Sequence, residues 1–265
     1  MNYEIPIELL QSPLDRTPLK AHAHYLIDQA GSQFERNAEG GFWDFMPHAS
    51  PLYTASEWKT FQTLISNFMV SYAQAPQVNV SYEYRDDASA FGRFCQFQGA
   101  VLDIGCGPHK VPSYISHNRS ANVTFYGIDV VPGEHPKELI FARAMGEHLP
   151  FRDGVFDVSV SGTSLLHYIN VKAGVDEALR VVSPNGSACI WLGVKSPDAP
   201  KPSTSPGWSQ SLAVPEGAEN PFHFKRHNES DFEKIVAACG ARIADKEMHP
   251  IDEWRRNVFY RLKKA

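Results

Sequence analysis

The chain has 265 residues, of which 43% are hydrophobic and 21% charged, an ordinary composition for a soluble globular protein with a large buried core. Its formal net charge of -5 repels polyanions and disfavours nucleic acid as a partner. No apolar run reaches the roughly eighteen residues of a membrane span, and no leader-like pattern opens the sequence, so we expect a cytoplasmic protein with no membrane partner. The cysteines stand far apart with no C-x-x-C pair and are predicted to be reduced and structural.

Residues 1–50 lie outside the alternation of strands and helices that follows them. The stretches I-E-L-L-Q-S-P-L-D-R-T-P-L, Y-L-I-D-Q-A-G and G-G-F-W-D-F-M-P resemble the small zinc-ribbon module that precedes some bacterial methyltransferases, including ribosomal RNA guanine methyltransferases. The cysteines of that module correspond here to Ser12, Asp15 and Asp28, with the fourth near Gly31, and the first cysteine of this chain is Cys95. We therefore expect a small N-terminal extension that holds no metal.

Residues 51–98 are predicted to form a helical linker or cap. Ser56 can cap a helix, Glu57 favours its first turn and Pro76 ends it. The apolar residues that recur at helical spacing are Phe61, Leu64, Ile65, Phe68, Met69 and Tyr72. We interpret this stripe as core packing.

A buried strand followed by a tight turn is predicted at residues 100–108, which read A-V-L-D-I-G-C-G-P. Gly105 and Gly107 allow backbone conformations that other residues avoid, and they let a ligand approach the main chain closely. A dinucleotide-binding turn would need a third glycine where Lys110 stands, and a phosphate loop would need G-K-S or G-K-T. The turn therefore indicates a different nucleotide-like ligand.

Two further segments follow this turn in a recognisable order. Residues 123–129, V-T-F-Y-G-I-D, are predicted to form a second strand that ends in Asp129, about twenty residues downstream, where an acid can bind ribose hydroxyls. Residues 146–151 read G-E-H-L-P-F, and a turn then leads to an apolar strand over residues 155–161. Together these motifs resemble class I S-adenosylmethionine-dependent methyltransferases of the type that acts mostly on small molecules.

The resemblance implies an α/β fold, a Rossmann-like seven-stranded methyltransferase sheet over residues 99–265, with S-adenosyl-L-methionine as cofactor and S-adenosyl-L-homocysteine as product. It implies a cofactor site formed by Asp103, Gly105, Cys106, Gly107, Asp129, Val130, Gly146, Glu147 and Ser161. The residues that it suggests for substrate contact are Tyr84, Arg85, Tyr168 and Trp208. Two departures are Met145, where relatives often carry an Asp for the adenine amino group, and a second helix reduced to a turn by two prolines and a glycine.

The rest of the chain completes the predicted sheet. A short helix is expected over residues 111–116, a third strand over 139–144, a helix over 171–182 after the cap Asn170, and a fifth strand over 187–194. Residues 195–222 are rich in Pro, Ser and Gly and suit a substrate loop or lid, with Trp208 as its apolar anchor. A helix ending at Cys239 and two strands, over 242–248 and 257–262, finish the fold.

His167, which follows the fourth strand, is the first candidate for a general base, and His223 at the end of the long loop is the second. A base is needed only where the acceptor is a hydroxyl or a protonated amine. The predicted function is methyl transfer to an O or N atom of a small-molecule acceptor, with secondary metabolism as one setting, by a monomer or homodimer. An RNA methyltransferase and a non-catalytic cofactor-binding scaffold are the alternatives.

Overall fold

The computed structural model describes residues 4–48, 53–75, 86–108, 111–118, 120–133, 138–200 and 207–265. Its strands are β1 (Lys20–Ala21), β2 (Tyr25–Ile27), β3 (Gln33–Glu35), β4 (Trp43–Asp44), β5 (Gly99–Ile104), β6 (Val123–Asp129), β7 (Leu139–Arg143), β8 (Phe156–Gly162), β9 (Val182–Lys195), β10 (Ala241–Pro250) and β11 (Arg255–Lys264). Its α-helices are α1 (Ala55–Gln74), α2 (Asp86–Cys95), α3 (Ser113–Ser116), α4 (Val171–Arg180) and α5 (Glu229–Ala238). Three short 3-10 helices cover Ile7–Leu9, Ser164–His167 and Gly207–Ser211. No helix within these ranges is both long and apolar enough to cross a bilayer.

The predicted α/β fold with a mostly parallel central sheet is confirmed. The strand order is β10-β11-β9-β8-β5-β6-β7-β4, and the strands from β9 through β4 run parallel to one another, while β11 lies antiparallel to both β9 and β10. Strand β4 comes from the N-terminal segment and adds an eighth strand to the seven that the sequence predicts. It is anchored beside β7, where Arg143 donates to Asp44 at 2.9 Å.

The N-terminal segment shares its core with the sheet. Leu10, Leu26 and Phe45 are almost fully buried in the same apolar cluster as Leu102 of β5. Two of the positions at which the resembling zinc module has cysteines are joined by a buried hydrogen bond, because the Ser12 hydroxyl donates to Asp28 at 2.9 Å. In this chain a polar pair therefore links the two loops that a metal would link in that module.

The helices differ from the sequence expectation in two places. Helix α1 begins two residues earlier than expected, because Thr54 rather than Ser56 caps it, in a reciprocal pair with Glu57. Helix α2 lies within the range 51–98 that was expected to be helical, but no separate helix with these bounds was predicted. It buries Ala88, Phe91 and Phe94, which recur every three residues and so lie on one face of the helix. The segment is short and has polar residues between them, so this spacing is hard to recognise in the sequence.

The topology brings the predicted motifs to one edge. Strand β5 lies in the middle of the sheet, with β6 on one side and β8 on the other, so the chain leaves its carboxyl end in opposite directions. A crevice forms at such a switch point in open parallel sheets. The glycine turn after β5, the acid at the end of β6 and the segment after β8 therefore meet there.

Replacing the buried side chain of Phe45 tests whether the N-terminal segment unfolds together with the sheet. Phe45 is fully buried and packs on Phe34 at a ring-centroid distance of 5.3 Å. We expect Phe45→Ala to lower the free energy of unfolding by about 3–5 kcal/mol in urea titrations followed by fluorescence and circular dichroism. Ile7→Ala, a change at a residue that is 36% exposed, is the control. An unchanged midpoint for Phe45→Ala would show that the segment adds nothing to global stability.

Candidate functional site

A cleft of about 490 Å³ opens at the carboxyl edge of β5, β6 and β8. This volume lies within the usual range for small-molecule sites. The lining residues that belong to the sheet edge and its turns include Gly105, Cys106, Gly107, Asp129, Val130, Gly146, Glu147, Thr163, His167 and Tyr168. The opposite wall comes from helix α1 and from the loop after β9. Most of the sequence-predicted site residues are therefore brought together.

The turn after β5 is fixed by the neighbouring strand. The backbone N–H groups of Gly105 and Cys106 donate to the carbonyl of Ile128 at 2.8 and 3.1 Å. Gly105 and Gly107 have φ of +84° and +79°, in the left-handed region that favours glycine, and a Cβ on Gly105 would collide with Ser164. Since these N–H groups are engaged within the protein, the turn presents carbonyl oxygens rather than donors to a ligand.

Asp129 ties the turn to the end of β6. Its carboxylate accepts hydrogen bonds from the backbone N–H groups of Gly107 and Val131, both at 2.8 Å. Burial raises the pKa of Asp129 to about 6, against the effect of these bonds. Each carboxylate oxygen has two lone pairs, so Asp129 can still accept from ligand hydroxyls on the cleft side.

Glu147 and Tyr168 lie near the second predicted motif. The Glu147 carboxylate accepts from the backbone N–H of Ile169 at 3.0 Å, and burial raises its pKa to about 7. Tyr168 packs so closely on Gly146 that a Cβ there would collide with the phenol ring. The Tyr168 hydroxyl is buried at the cleft wall and makes no hydrogen bond to any described residue. A buried polar atom of this kind indicates that a ligand is needed to complete the site.

Asp103 and Ser161, two of the predicted cofactor residues, do not line the cleft. Asp103 is fully buried, and the hydroxyl of Tyr114 donates to both of its carboxylate oxygens at 3.0 Å. Ser161 is paired with the hydroxyl of Ser164 at 2.7 Å. Tyr114 and Ser164 themselves line the cleft. Asp103 therefore lies behind the residues that line the cleft, and its contact with the cofactor stays a prediction.

The backbone at the end of β8 is strained. Thr163 has φ of +66°, a conformation that is uncommon for a β-branched residue and that recurs at functional sites. It directly precedes the 3-10 helix Ser164–His167, whose last residue enters the cleft. The left-handed backbone at Thr163 turns the chain from β8 into the 3-10 helix that carries His167.

The two predicted histidines are in contact. The rings of His167 and His223 are stacked, with centroids 5.0 Å apart and planes at 28°. Burial lowers the pKa of His167 to about 4 and that of His223 to about 2, so both imidazoles are neutral at physiological pH. Because the two histidines are 56 positions apart in the sequence, no local pattern predicts that their rings stack.

Helix α1 and the loop after β9 close the far side of the cleft. The apolar stripe of α1 was interpreted as core packing, but several of its residues line the cleft. They are Phe61, Leu64, Ile65, Phe68 and Tyr72. Asn67 of the helix donates to the carbonyls of Ala213 and Pro221 at 3.1 and 2.8 Å, so helix and loop are joined. Trp208, predicted as the loop's apolar anchor, lies in the lining and 6.2 Å from the ring of Phe222.

Three other predicted features concern Met145, the connection between β6 and β7, and the pair Tyr84 and Arg85. Met145 is fully buried against Phe61 and Ile65 and does not line the cleft. Residues 130–133, between β6 and β7, contain no helix, in keeping with the shortened connection. Tyr84 and Arg85, predicted to contact substrate, lie outside the described residues.

Part of the chain is similar in sequence to known methyltransferases. Residues 102–190 match the family described as "Methyltransferase domain". An uncharacterized methyltransferase of Mycolicibacterium gilvum is 33% identical over 105 residues, which are 35% of this chain and 40% of that protein. A glycine/sarcosine/dimethylglycine N-methyltransferase of Actinopolyspora halophila is 27% identical over 116 residues, 40% of this chain and 20% of that protein.

A solved structure covers most of the fold. It is the 1,6-didemethyltoxoflavin-N1-methyltransferase of Burkholderia thailandensis, with a TM-score of 0.58 and 15% identity over 93% of this chain and 98% of that one. Residues 102–190 thus match a methyltransferase domain, and the chain has the fold of this methyltransferase neighbour, in agreement with the resemblance found in its motifs. The chain matches only 40% of the length of the Mycolicibacterium relative.

The buried carboxyl of Asp103 gives a prediction for pH. Burial raises the pKa of Asp103 to about 8 from 3.8, so the stability that this group contributes is fully present below about pH 4 and is lost as the pH rises through 8. We expect Asp103→Asn, which keeps an oxygen for the Tyr114 hydroxyl, to gain stability relative to the unmodified chain at pH 8.5 and to gain much less at pH 5. Urea unfolding at the two pH values measures this difference. Asp176→Asn, at an exposed position on α4, is the control, and an equal gain at both pH values would contradict the assignment.

Proposed function

We propose that this protein transfers the methyl group of S-adenosylmethionine to an oxygen or nitrogen atom of a small molecule. The observation that carries the proposal is the position of Asp129, whose half-buried carboxylate lines the cleft while it holds the glycine turn in place. Nucleoside ligands bind at such switch points with an acid facing the ribose hydroxyls. The unpaired Tyr168 hydroxyl and the close approach of Gly146 and Tyr168 also fit a ligand-completed site.

In this proposal, different residues of the cleft bind different parts of the cofactor. Asp129 accepts from the ribose hydroxyls, and the carbonyls of the Gly105–Gly107 turn receive the ammonium group of the amino acid tail. Val130, Gly146 and Glu147 surround the adenine ring, and Glu147 supplies the polar group that Met145 does not. Cys106 fills space beneath the turn, since burial raises the pKa of its thiol well above its usual value and keeps it uncharged.

When bound, the cofactor supplies a methyl group already activated on a positive sulfur. The protein then has to hold an acceptor atom in line with that carbon and exclude water. Helix α1 and the loop over residues 207–224 supply an aromatic wall opposite the sheet edge, and the cleft is apolar over most of that wall. His167 and His223 line the same part of the cleft, and in this proposal they face the acceptor.

Two relatives support a small acceptor. The structural neighbour from Burkholderia is named as an N1-methyltransferase of 1,6-didemethyltoxoflavin, and the Actinopolyspora relative is named as an N-methyltransferase of glycine, sarcosine and dimethylglycine. The net charge of -5 works against the RNA alternative, because binding to the phosphate backbone depends on cationic surface. Transfer of a labelled methyl group into a metabolite extract tests the activity. Tight cofactor binding with no transfer to any small molecule would instead favour the scaffold alternative.

The ribose assignment predicts a loss of cofactor affinity. Hydrogen bonds to a charged group contribute about 1.5–3 kcal/mol, so we expect Asp129→Ala to bind S-adenosylmethionine about 10- to 100-fold more weakly in calorimetry. Asp129→Asn, which keeps the side-chain shape, separates loss of charge from loss of packing. Asp176→Asn is the matched surface control, and circular dichroism checks folding. Unchanged affinity in both Asp129 variants would remove Asp129 from the site.

A further inference from the structure

The hydrogen bonds of the histidine pair fix which nitrogen of each ring carries a proton. Nδ1 of His167 lies 2.9 Å from the carbonyl oxygen of Phe222, and since a carbonyl only accepts, this nitrogen carries the hydrogen. In the neutral ring Nε2 of His167 is therefore a lone-pair acceptor. Within the described part of the chain, that nitrogen makes no hydrogen bond.

His223 has the opposite arrangement. Its Nδ1 lies 3.0 Å from the amide nitrogen of Asn220 and 3.1 Å from a guanidinium nitrogen of Arg226. The oxygen of the Asn220 amide is already used, because it accepts from the backbone N–H groups of Phe222 and His223 at 2.8 Å. Since Arg226 can only donate, Nδ1 of His223 is an acceptor and its Nε2 carries the hydrogen. Both residues line the cleft, and the pair thus contains one acceptor and one donor nitrogen, both uncharged.

The surroundings keep this pair neutral and disfavour a cation. Arg226 places its positive charge directly against His223, and a different guanidinium nitrogen of Arg226 pairs with Glu219 at 3.1 Å. The same charge lowers the pKa of both histidines beyond the effect of burial. An ammonium group at this end of the cleft would be repelled by Arg226 and would meet no carboxylate on the histidine pair.

Aromatic rings surround the pair. Phe68 of α1 meets His167 edge-on at 4.6 Å and packs on Phe222 at 5.5 Å, and Trp208 lies beyond Phe222. Such walls bind flat rings well, since stacked and edge-to-face contacts each add about 0.5–1.5 kcal/mol beyond the buried area. The polar pair therefore stands among aromatic rings that line the cleft and that suit contact with a planar ligand.

We infer that the acceptor is a neutral, planar aromatic compound that donates a hydroxyl or ring N–H hydrogen to Nε2 of His167 and accepts from Nε2–H of His223. This inference rests on the proposed function. As the acceptor atom forms its bond to the methyl carbon, the carbon–sulfur bond breaks and its electron pair stays on sulfur. His167 takes the acceptor's proton at Nε2, and the neutral methylated product and the thioether remain.

The experiment compares matched probes on protein saturated with S-adenosylhomocysteine. The probes are 2-naphthol, which is neutral and donates a hydrogen, 2-methoxynaphthalene, which has no hydrogen to donate, and 2-naphthylmethylamine, which is a cation at pH 7. We expect 2-naphthol to bind at least tenfold more tightly than either of the others in calorimetry. Tighter binding of the amine, equal binding of all three, or no binding of 2-naphthol would overturn the inference.

Variants then assign the preference to the pair. His167→Ala and His223→Ala are each expected to reduce 2-naphthol affinity at least tenfold while S-adenosylhomocysteine affinity stays unchanged, and His167→Gln, whose amide oxygen can accept, is expected to recover part of the loss. His22→Ala, an exposed histidine stacked on Tyr25, is the control. Full 2-naphthol affinity in both alanine variants would refute the role of the pair. A chain that binds no S-adenosylhomocysteine would refute the proposed function instead, so the two failures are distinct.

Discussion

The site depends on one cross-strand connection, in which the end of β6 holds the turn that follows β5. Two backbone N–H groups of the turn donate to the carbonyl of Ile128, and a third donates to the side chain of Asp129. These bonds fix a segment whose glycines would otherwise sample many conformations. The same carboxylate that faces the cleft is therefore a structural acceptor, so the geometry of the site and the stability of the sheet edge are set together.

Burial then gives this edge its electrostatic character. Asp103 and Glu147 are buried and Asp129 is half-buried, and burial raises the pKa of each. Carboxyl groups held in this state favour a nearby positive charge, because a cation restores the preference for their ionised form. On the proposed function, the sulfonium and ammonium groups of the cofactor supply that charge. The opposite end of the cleft, with Arg226 behind the histidines, favours an uncharged ligand, so the two ends select different chemistry.

The sequence predicted the parts of this arrangement that depend on local signals. The bounds of β6 are those predicted, because its apolar run, its terminal acid and the flanking polar residues are contiguous. The glycine turn was predicted for the same reason. The eighth strand was not, since the pairing of Trp43 with Ala142 joins segments about a hundred positions apart and no local pattern records it. The stacking of His167 on His223 was missed on the same grounds, and the apolar stripe of α1 could not reveal whether it faced a core or a cleft.

Helix α1 illustrates why that ambiguity has a physical origin. An apolar face lowers its free energy by leaving water, whether the opposing surface is protein or ligand, so hydrophobic spacing reports burial and not its partner. The polar residues that flank the apolar stripe help to distinguish a helix face packed on protein from one that faces a ligand. Asn67 and Thr60 bind carbonyls of the loop over residues 207–224, so the helix and the loop act as one cover over the sheet edge. The strands beneath this cover are paired with their neighbours, and the end of β6 holds the glycine turn. The sheet therefore keeps Asp129 and the turn in place, and on the proposed function the helix and the loop enclose the acceptor end of the cleft.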